Sequence, residues 1–228
     1  HIMPQDVFCD CECEACAAAR GPRGPHGEID WLNTTSVWKF TDAVARRVAQ
    51  ECPGKFISQC AYYDYAGFPE GLDLATNILC GPALGIRTAW VNPDCHEITE
   101  YRKWVAAFPG RMGTIWVYPC FPNEGAESKG YKCFPGFFAR HAARFYRMFA
   151  RDGIRGIMNC GGGELIDAYA MIKYMDDVTP DEEQFLTDAV TAYYGAAAGP
   201  VLAFYREAED VYWDLTNYPG GQFSSEED

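Results

Sequence analysis

The sequence predicts an α/β protein built on a parallel sheet. Three observations carry this. Short apolar runs alternate with amphipathic helical stretches, the order that strand–helix crossovers require. Five of the runs are strand-like, at residues 2–5, 56–62, 77–83, 112–118 and 154–159. The 228 residues suffice for one sizeable domain. An open five-stranded sheet and the C-terminal part of a (β/α) barrel both fit. A complete eight-stranded barrel needs three more strands and usually about 250 residues.

The elements follow in order. "HIMP" reads as the end of a short buried strand, and a cysteine loop and the Gly/Pro stretch "RGPRGPHGE" come next. A helix is predicted from about Ser36 to Gln50, with Val37, Phe40, Val44 and Val48 at helical spacing and N-caps on offer from Asn33 to Ser36. "KFISQCAYY" and "NILCGPAL" are strands, "EITEYRKWVAAF" is a helix closed by Pro-Gly, and "MGTIWVYP" is a strand. A long loop covers 119–134. "GFFARHAARFYRMFARD" is an amphipathic helix with Phe138, His141, Phe145 and Met148 on one stripe, so His141 reads as a packed core histidine. "GIRGIMN" is a strand expected to be buried, because it carries so few charges, and "ELIDAYAMIKYM" is helical. In "TPDEEQFLTDAVTAYYG" Thr179 is the expected cap, with a proline at the first helical position and acids in the first turn. The last helix, "PVLAFYREAEDVYWDL", aligns Val201, Phe204, Ala208, Val211 and Leu215.

Composition excludes several classes. Hydrophobic residues make up 48% and charged residues 22%, a globular balance. The net charge of −13 repels a phosphate backbone, so nucleic acid is not the partner. No apolar run reaches the roughly 20 residues of a membrane span. Four of the eleven cysteines crowd into "CDCECEAC", and others, such as Cys60, Cys80 and Cys160, lie in strand-like runs. Scattered thiols suit a reducing, cytoplasmic compartment or serve as small hydrophobes in a core. The chain opens "HIMPQD", without an initiator Met or a legible signal peptide, and is expected to be processed or a piece of a longer protein.

Four motifs, in order, resemble one family. "MPQDVFCDCECEAC" resembles a strand-end Ser-Pro-x-Asp followed by Cys-x-Cys-x-x-Cys. "CAYYDYAGFPE" is similar to an Ala-Tyr strand end and its following proline, and "GGGELIDAY" to a late Gly…Glu motif. "VTPDEEQFLTDAVTAYYGAAAGPVLAFYREAE" resembles a closing helical segment with a Tyr-Tyr-Gly-x-Ala-Ala signature. The family is an uncharacterised bacterial domain that usually follows a hexosaminidase-like domain in polysaccharide-degrading proteins. It is similar to the barrels of α-glucuronidases and β-hexosaminidases. The resemblance runs from residue 3 to about 215. It implies a carbohydrate-active (β/α)8, TIM-like barrel of which this chain is the C-terminal part, with about five parallel strands and extra helices. It also implies a periplasmic or extracellular location. The first barrel strands and the preceding domain are missing here, and Cys9 is an extra cysteine.

In parallel α/β folds the active groups sit at the C-terminal ends of the strands. That selects Asp6, Tyr62, Tyr63, Asp64, Trp116, Tyr118, Asn159 and Glu164. Cleaving a glycosidic bond usually takes two carboxyl groups, one to protonate the leaving oxygen and one as nucleophile or base. Glu164 is the first candidate, since three glycines before it permit a sharp turn and leave room for a ring-sized ligand. The plainer reading is a helix N-terminal glutamate favoured by the macrodipole. Asp6 and Asp64 compete for the second role, against plainer readings as a turn or cap residue and an exposed loop acid. Tyr62, Tyr63, Trp90, Trp116, Tyr118 and Asn159 are candidate sugar contacts, and core packing is the alternative for each aromatic. Cys11, Cys13 and Cys16 can hold a structural zinc, with Cys9 or a remote residue as fourth ligand; free or disulfide-bonded thiols are the alternative.

The expected organisation is a partial, glycoside-hydrolase-like barrel at 1–178, a helical segment packed on it at 179–217, and a tail at 218–228. The expected function is hydrolysis of a poly- or oligosaccharide through paired carboxylates, with no required cofactor. The alternatives are a non-catalytic carbohydrate-binding or structural module, and a metal or thiol protein centred on the Cys9–Cys16 loop. A missing barrel half or another chain is expected to cover the sheet edge.

Overall fold

The computed structural model describes residues 2, 13–19, 33–62, 65–85, 96–119, 137–160 and 165–214. In chain order the elements are α1 (Glu14–Ala19), α2 (Thr34–Glu51), β1 (Ile57–Ala61), β2 (Ile78–Leu84), α3 (His96–Ala107), β3 (Thr114–Val117), α4 (Ala139–Arg151), β4 (Gly156–Asn159), α5 (Leu165–Asp176), α6 (Glu182–Tyr194) and α7 (Ala198–Trp213). The strands form one four-stranded parallel sheet in the order β1-β2-β3-β4, so each strand lies beside its sequence neighbour. β1 pairs with β2 in parallel, Ile57 against Ile78 through Ala61 against Pro82. Ile2 adds a parallel bridge to Gln59, its N–H donating to the Ser58 carbonyl at 2.7 Å. The expected first strand is therefore seen at its one described residue. The mixed α/β class stands; α1, at the end of the cysteine loop, is an element the sequence reading lacked.

The chain clusters into two compact units, His1–Ala83 with His96–Trp116, and Leu84–Cys95 with Val117–Asp228. In the first, α2 lies against β1. Gln59 is fully buried there; its Oε1 accepts from the Thr41 hydroxyl at 3.1 Å and its Nε2 donates to the Cys60 carbonyl at 2.8 Å. Burial pushes the Cys60 thiol up to about 12 and the Cys80 thiol well above its ordinary value. Both are inert small hydrophobes. The buried face of α2 is Thr34, Val37, Trp38, Thr41 and Ala45, and Phe40 is 62% exposed rather than part of the stripe. Trp38, on the opposite side of the helix, is the fully buried aromatic and sends its indole N–H to the Tyr65 carbonyl at 3.1 Å.

Gly81 marks the closest approach between strands. A Cβ there would stand 2.3 Å from the Thr114 carbonyl oxygen, a backbone atom that cannot swing aside. Gly81→Ala is expected to destabilise the fold by on the order of 1–3 kcal/mol, the cost of overpacking. Gly199→Ala, where a Cβ meets nothing within 4 Å on a helix, is the control; it should leave stability unchanged or raise it by about 0.5–1 kcal/mol. Equal melting temperatures for the two variants would show that the strands separate freely at this point.

The second unit is mostly helical. α4 packs against α5 and α6, and α6 against α7, so the helices before and after residue 178 share one core. Asp181, not Thr179, caps α6, its carboxylate accepting from the N–H groups of Glu183 and Gln184. Thr179 turns to Asp177 instead, through its N–H at 2.9 Å and its hydroxyl at 2.7 Å. The inner face of α7 is Tyr205, Glu209, Tyr212 and Trp213, while Phe204 and Val211 are exposed. The apolar alignment put the inner face on the wrong residues because a glutamate belongs to it. β4 is half-buried, with Met158 exposed, rather than buried throughout. Among the described residues it is the last strand in the sheet order.

Candidate functional site

The C-terminal strand ends are built differently in the two units. After β1, Tyr62 is half-buried, and its ring meets Tyr65 edge-on at 6.3 Å. Two indoles fix the chain that follows. Trp38 Nε1 donates to the Tyr65 carbonyl, and Trp104 Nε1 to the Ala66 carbonyl at 3.0 Å. The rings of Trp38 and Trp104 meet at 4.4 Å, and Phe68 packs edge-on against Trp104 at 4.9 Å. The Phe68 N–H donates to Glu100 at 2.6 Å, and Lys103 pairs with the same carboxylate at 2.8 Å. Charge and packing thus hold residues 65–68 at several points. Trp116 is half-buried on β3.

In the second unit Tyr118 N–H donates to the Leu84 carbonyl at 3.1 Å, and Cys160 N–H to the Val117 carbonyl at 2.8 Å. These bonds set the ends of three strands side by side. Asn159, at the end of β4, is held at both polar atoms: its Oδ1 accepts from the Tyr146 hydroxyl at 2.7 Å, and its Nδ2 donates to Met175 Sδ at 3.2 Å. Burial pushes the Tyr146 phenol far up, and the Asn159 bond offsets only part of that. The hydroxyl therefore stays a neutral donor that orients the amide. Tyr118 and Asn159 thus stand at the ends of neighbouring strands. Among the described residues the rim carries tyrosine, asparagine and cysteine side chains and no carboxylate. Glu164, Asp6, Asp64, Tyr63 and Trp90 lie outside the described residues, as do Cys9 and Cys11.

Cys13 and Cys16 are both exposed, and Cys13 Sγ accepts from the Cys16 N–H at 3.4 Å, closing the first turn of α1. Among the described residues no group of three or more His, Cys, Asp or Glu side chains is placed to hold a metal ion. No helix among them is long and apolar enough to cross a membrane.

A second polar centre, invisible to the sequence reading, lies at the start of α4. Glu209 is 2% exposed. It accepts from the N–H groups of Arg140 and His141 at 3.0 Å each, from Arg140 Nε at 2.9 Å, and from His141 Nδ1 at 2.8 Å. Arg140 continues to Glu183 at 2.9 Å, to Asp210 at 2.7 Å and to the Arg206 carbonyl at 3.0 Å. His141 stacks on Trp213 with ring centres 4.1 Å apart, and Trp213 Nε1 donates to the Phe137 carbonyl. Asp167, fully buried on α5, accepts from the Phe138 N–H at 2.9 Å. Two carboxylates thus cap one helix N-terminus, where the backbone dipole favours negative charge. Burial pushes the Glu209 carboxyl up, but the bonds from His141 and Arg140 outweigh it and hold it below the ordinary range. Burial pulls His141 down, so the imidazole is neutral at neutral pH. A carboxylate can only accept, which places the imidazole proton on Nδ1. The charged groups of Arg140, Glu209 and Asp210 pair with one another, as in a structural centre. The only sequence signal for it was a charged residue on each inner helical face.

Compared with family models, curated proteins and solved structures, the chain matches none of them.

Proposed function

We propose that this chain is a glycoside-hydrolase-like catalytic region, part of a (β/α) barrel, acting on a poly- or oligosaccharide. The observation that carries the reading is the strand order. Four parallel strands follow one another without the reversal of a doubly wound sheet. Where a helix joins two such strands, a right-handed crossover puts it on one and the same face of the sheet. A sheet of that kind covers its other face by curling, as a barrel does. The Ile2 bridge adds a fifth position beyond β1, and among the described residues β4 ends the sheet at an edge that further strands would extend. In this reading Glu164 is the general acid, Asp6 or Asp64 the second carboxylate, and tyrosines such as Tyr62 and Tyr118 present rings to sugar C–H faces.

Release of new reducing ends from polysaccharides and oligosaccharides by the purified chain is the test. Turnover supports the reading. Sugar binding without turnover between about pH 4 and 9, the range in which carboxyl acids and bases operate, overturns it in favour of a non-catalytic binding module.

A further inference from the structure

We propose that Met175 is an oxidation-sensitive latch on the end of β4: a peroxide converts its thioether to the sulfoxide and thereby moves the Asn159 amide. Asn159 is the last residue of β4, and Met175 is the second-last residue of α5. The Asn159 side chain ties the strand to two helices. Its Oδ1 accepts from the hydroxyl of Tyr146, on α4, at 2.7 Å, and its Nδ2 donates to Met175 Sδ at 3.2 Å. The sulfur decides which way round the amide stands. A thioether can only accept, so the nitrogen faces Met175 and the oxygen faces Tyr146. Tyr146 is 1% exposed and is fixed in the core.

The sulfur side of the latch is within reach of oxidants. Met175 is 46% exposed, whereas Met112 and Met171 are 1% and 4% exposed. Access governs methionine oxidation. In the reaction Sδ attacks one oxygen of hydrogen peroxide and the O–O bond breaks. Sulfur is oxidised by two electrons and keeps that oxygen, and the other oxygen leaves as water. The sulfoxide is polar and chiral, and its oxygen replaces a weak acceptor with a strong one, set one bond further out. The Nδ2 N–H follows the new oxygen. The buried phenol of Tyr146 cannot follow, so the bond between Tyr146 and Asn159 is the one that gives, and β4 loses an anchor at its end. Reduction of the sulfoxide resets the latch. Met158 provides the comparison. It precedes Asn159 on β4 and is 48% exposed, but it takes no bond from that amide. The latch is independent of the carbohydrate reading, because it is read at Asn159 itself.

The test treats the whole chain, isotopically labelled at asparagine nitrogen, with hydrogen peroxide. Peptide mass spectrometry follows each methionine, and NMR follows the side-chain amides, the Asn159 signals being those missing from Asn159→Asp. Met175 should gain one oxygen at least about tenfold faster than Met112 and Met171, which must wait for local opening. The Asn159 amide signals should shift in step with that gain, and methionine sulfoxide reductase should return them. Met158→Leu should leave the shift intact, and Met175→Leu should abolish it. Leucine conserves the volume of methionine, and unchanged circular dichroism will show that both variants fold. Oxidation of Met175 no faster than that of the buried methionines overturns the proposal. So do Asn159 signals that stay in place once Met175 is oxidised, or that shift equally under peroxide in Met175→Leu.

Discussion

Glu209→Ala is expected to lower stability by about 3–5 kcal/mol, the range for breaking a buried ion pair from one side. For a chain of this size that is on the order of 10 °C in melting temperature. The exchange removes the acceptor of two backbone N–H groups, a guanidinium N–H and an imidazole N–H at once. Arg140 keeps Asp210 and Glu183, so its charge is not orphaned, but the first turn of α4 is left with buried donors. Glu209→Gln keeps the shape and one acceptor and should fall between wild type and alanine. A loss below about 1 kcal/mol, the scale of an exposed pair, would mean that water replaces the carboxylate. The same centre makes stability depend on pH. His141 has a depressed folded value, so the unfolded chain takes up its proton first, and stability falls as pH drops below about 6.5. Glu209 is also depressed; its contribution is complete above about 4.5 and is lost as pH falls through its lower folded value. Melting temperature should therefore decline in the His141 window before the carboxylates titrate. His141→Gln should flatten that first decline and leave the second.

Glu164→Gln is expected to reduce glycoside turnover by about 10²–10⁴-fold, the usual contribution of a positioned general acid, while sugar binding survives. The amide keeps the shape of the side chain and removes the proton that the leaving oxygen needs. Glu164 directly precedes Leu165, the first residue of α5, so a competing role is available as a favourable charge at a helix start. That role is worth only about 0.3–1 kcal/mol. It would appear as a small drop in melting temperature with turnover intact, so the two roles separate in one pair of measurements.

Strands were the most legible part of the sequence. Runs such as "NILCGPAL" and "GIRGIMN" are short, apolar and bounded by turn residues, and β2 and β4 fall within two residues of the expected limits. Helix positions were legible for the same reason, but their inner faces were not. Apolar spacing chose Phe40 on α2 and Phe204 on α7, and both are exposed. The core instead takes Trp38, whose indole has a carbonyl to reach, and Glu209, whose charge has Arg140. Those preferences depend on partners 27 and 69 residues away in sequence, which no local period contains. Tyr118 and Asn159 stand at strand ends as expected, because strand ends are predictable. The clamp of Asn159 between Tyr146 and Met175 was not legible, because it joins β4 to two helices.

The reach of Glu209 also bears on the order in which the protein can be made. α4 leaves the ribosome with Arg140 and His141 on a face that must later be buried, and its capping carboxylate follows 69 residues behind. Trp213, which stacks on His141 and takes the Phe137 carbonyl, comes later still. Nascent chains halted before residue 209 would hold a helix capped by Asp167 alone, with the N–H groups of Arg140 and His141 still without their carboxylate. Native packing of α4 thus waits for the synthesis of α7, and a chain interrupted in α7 is exposed to chaperones and proteases.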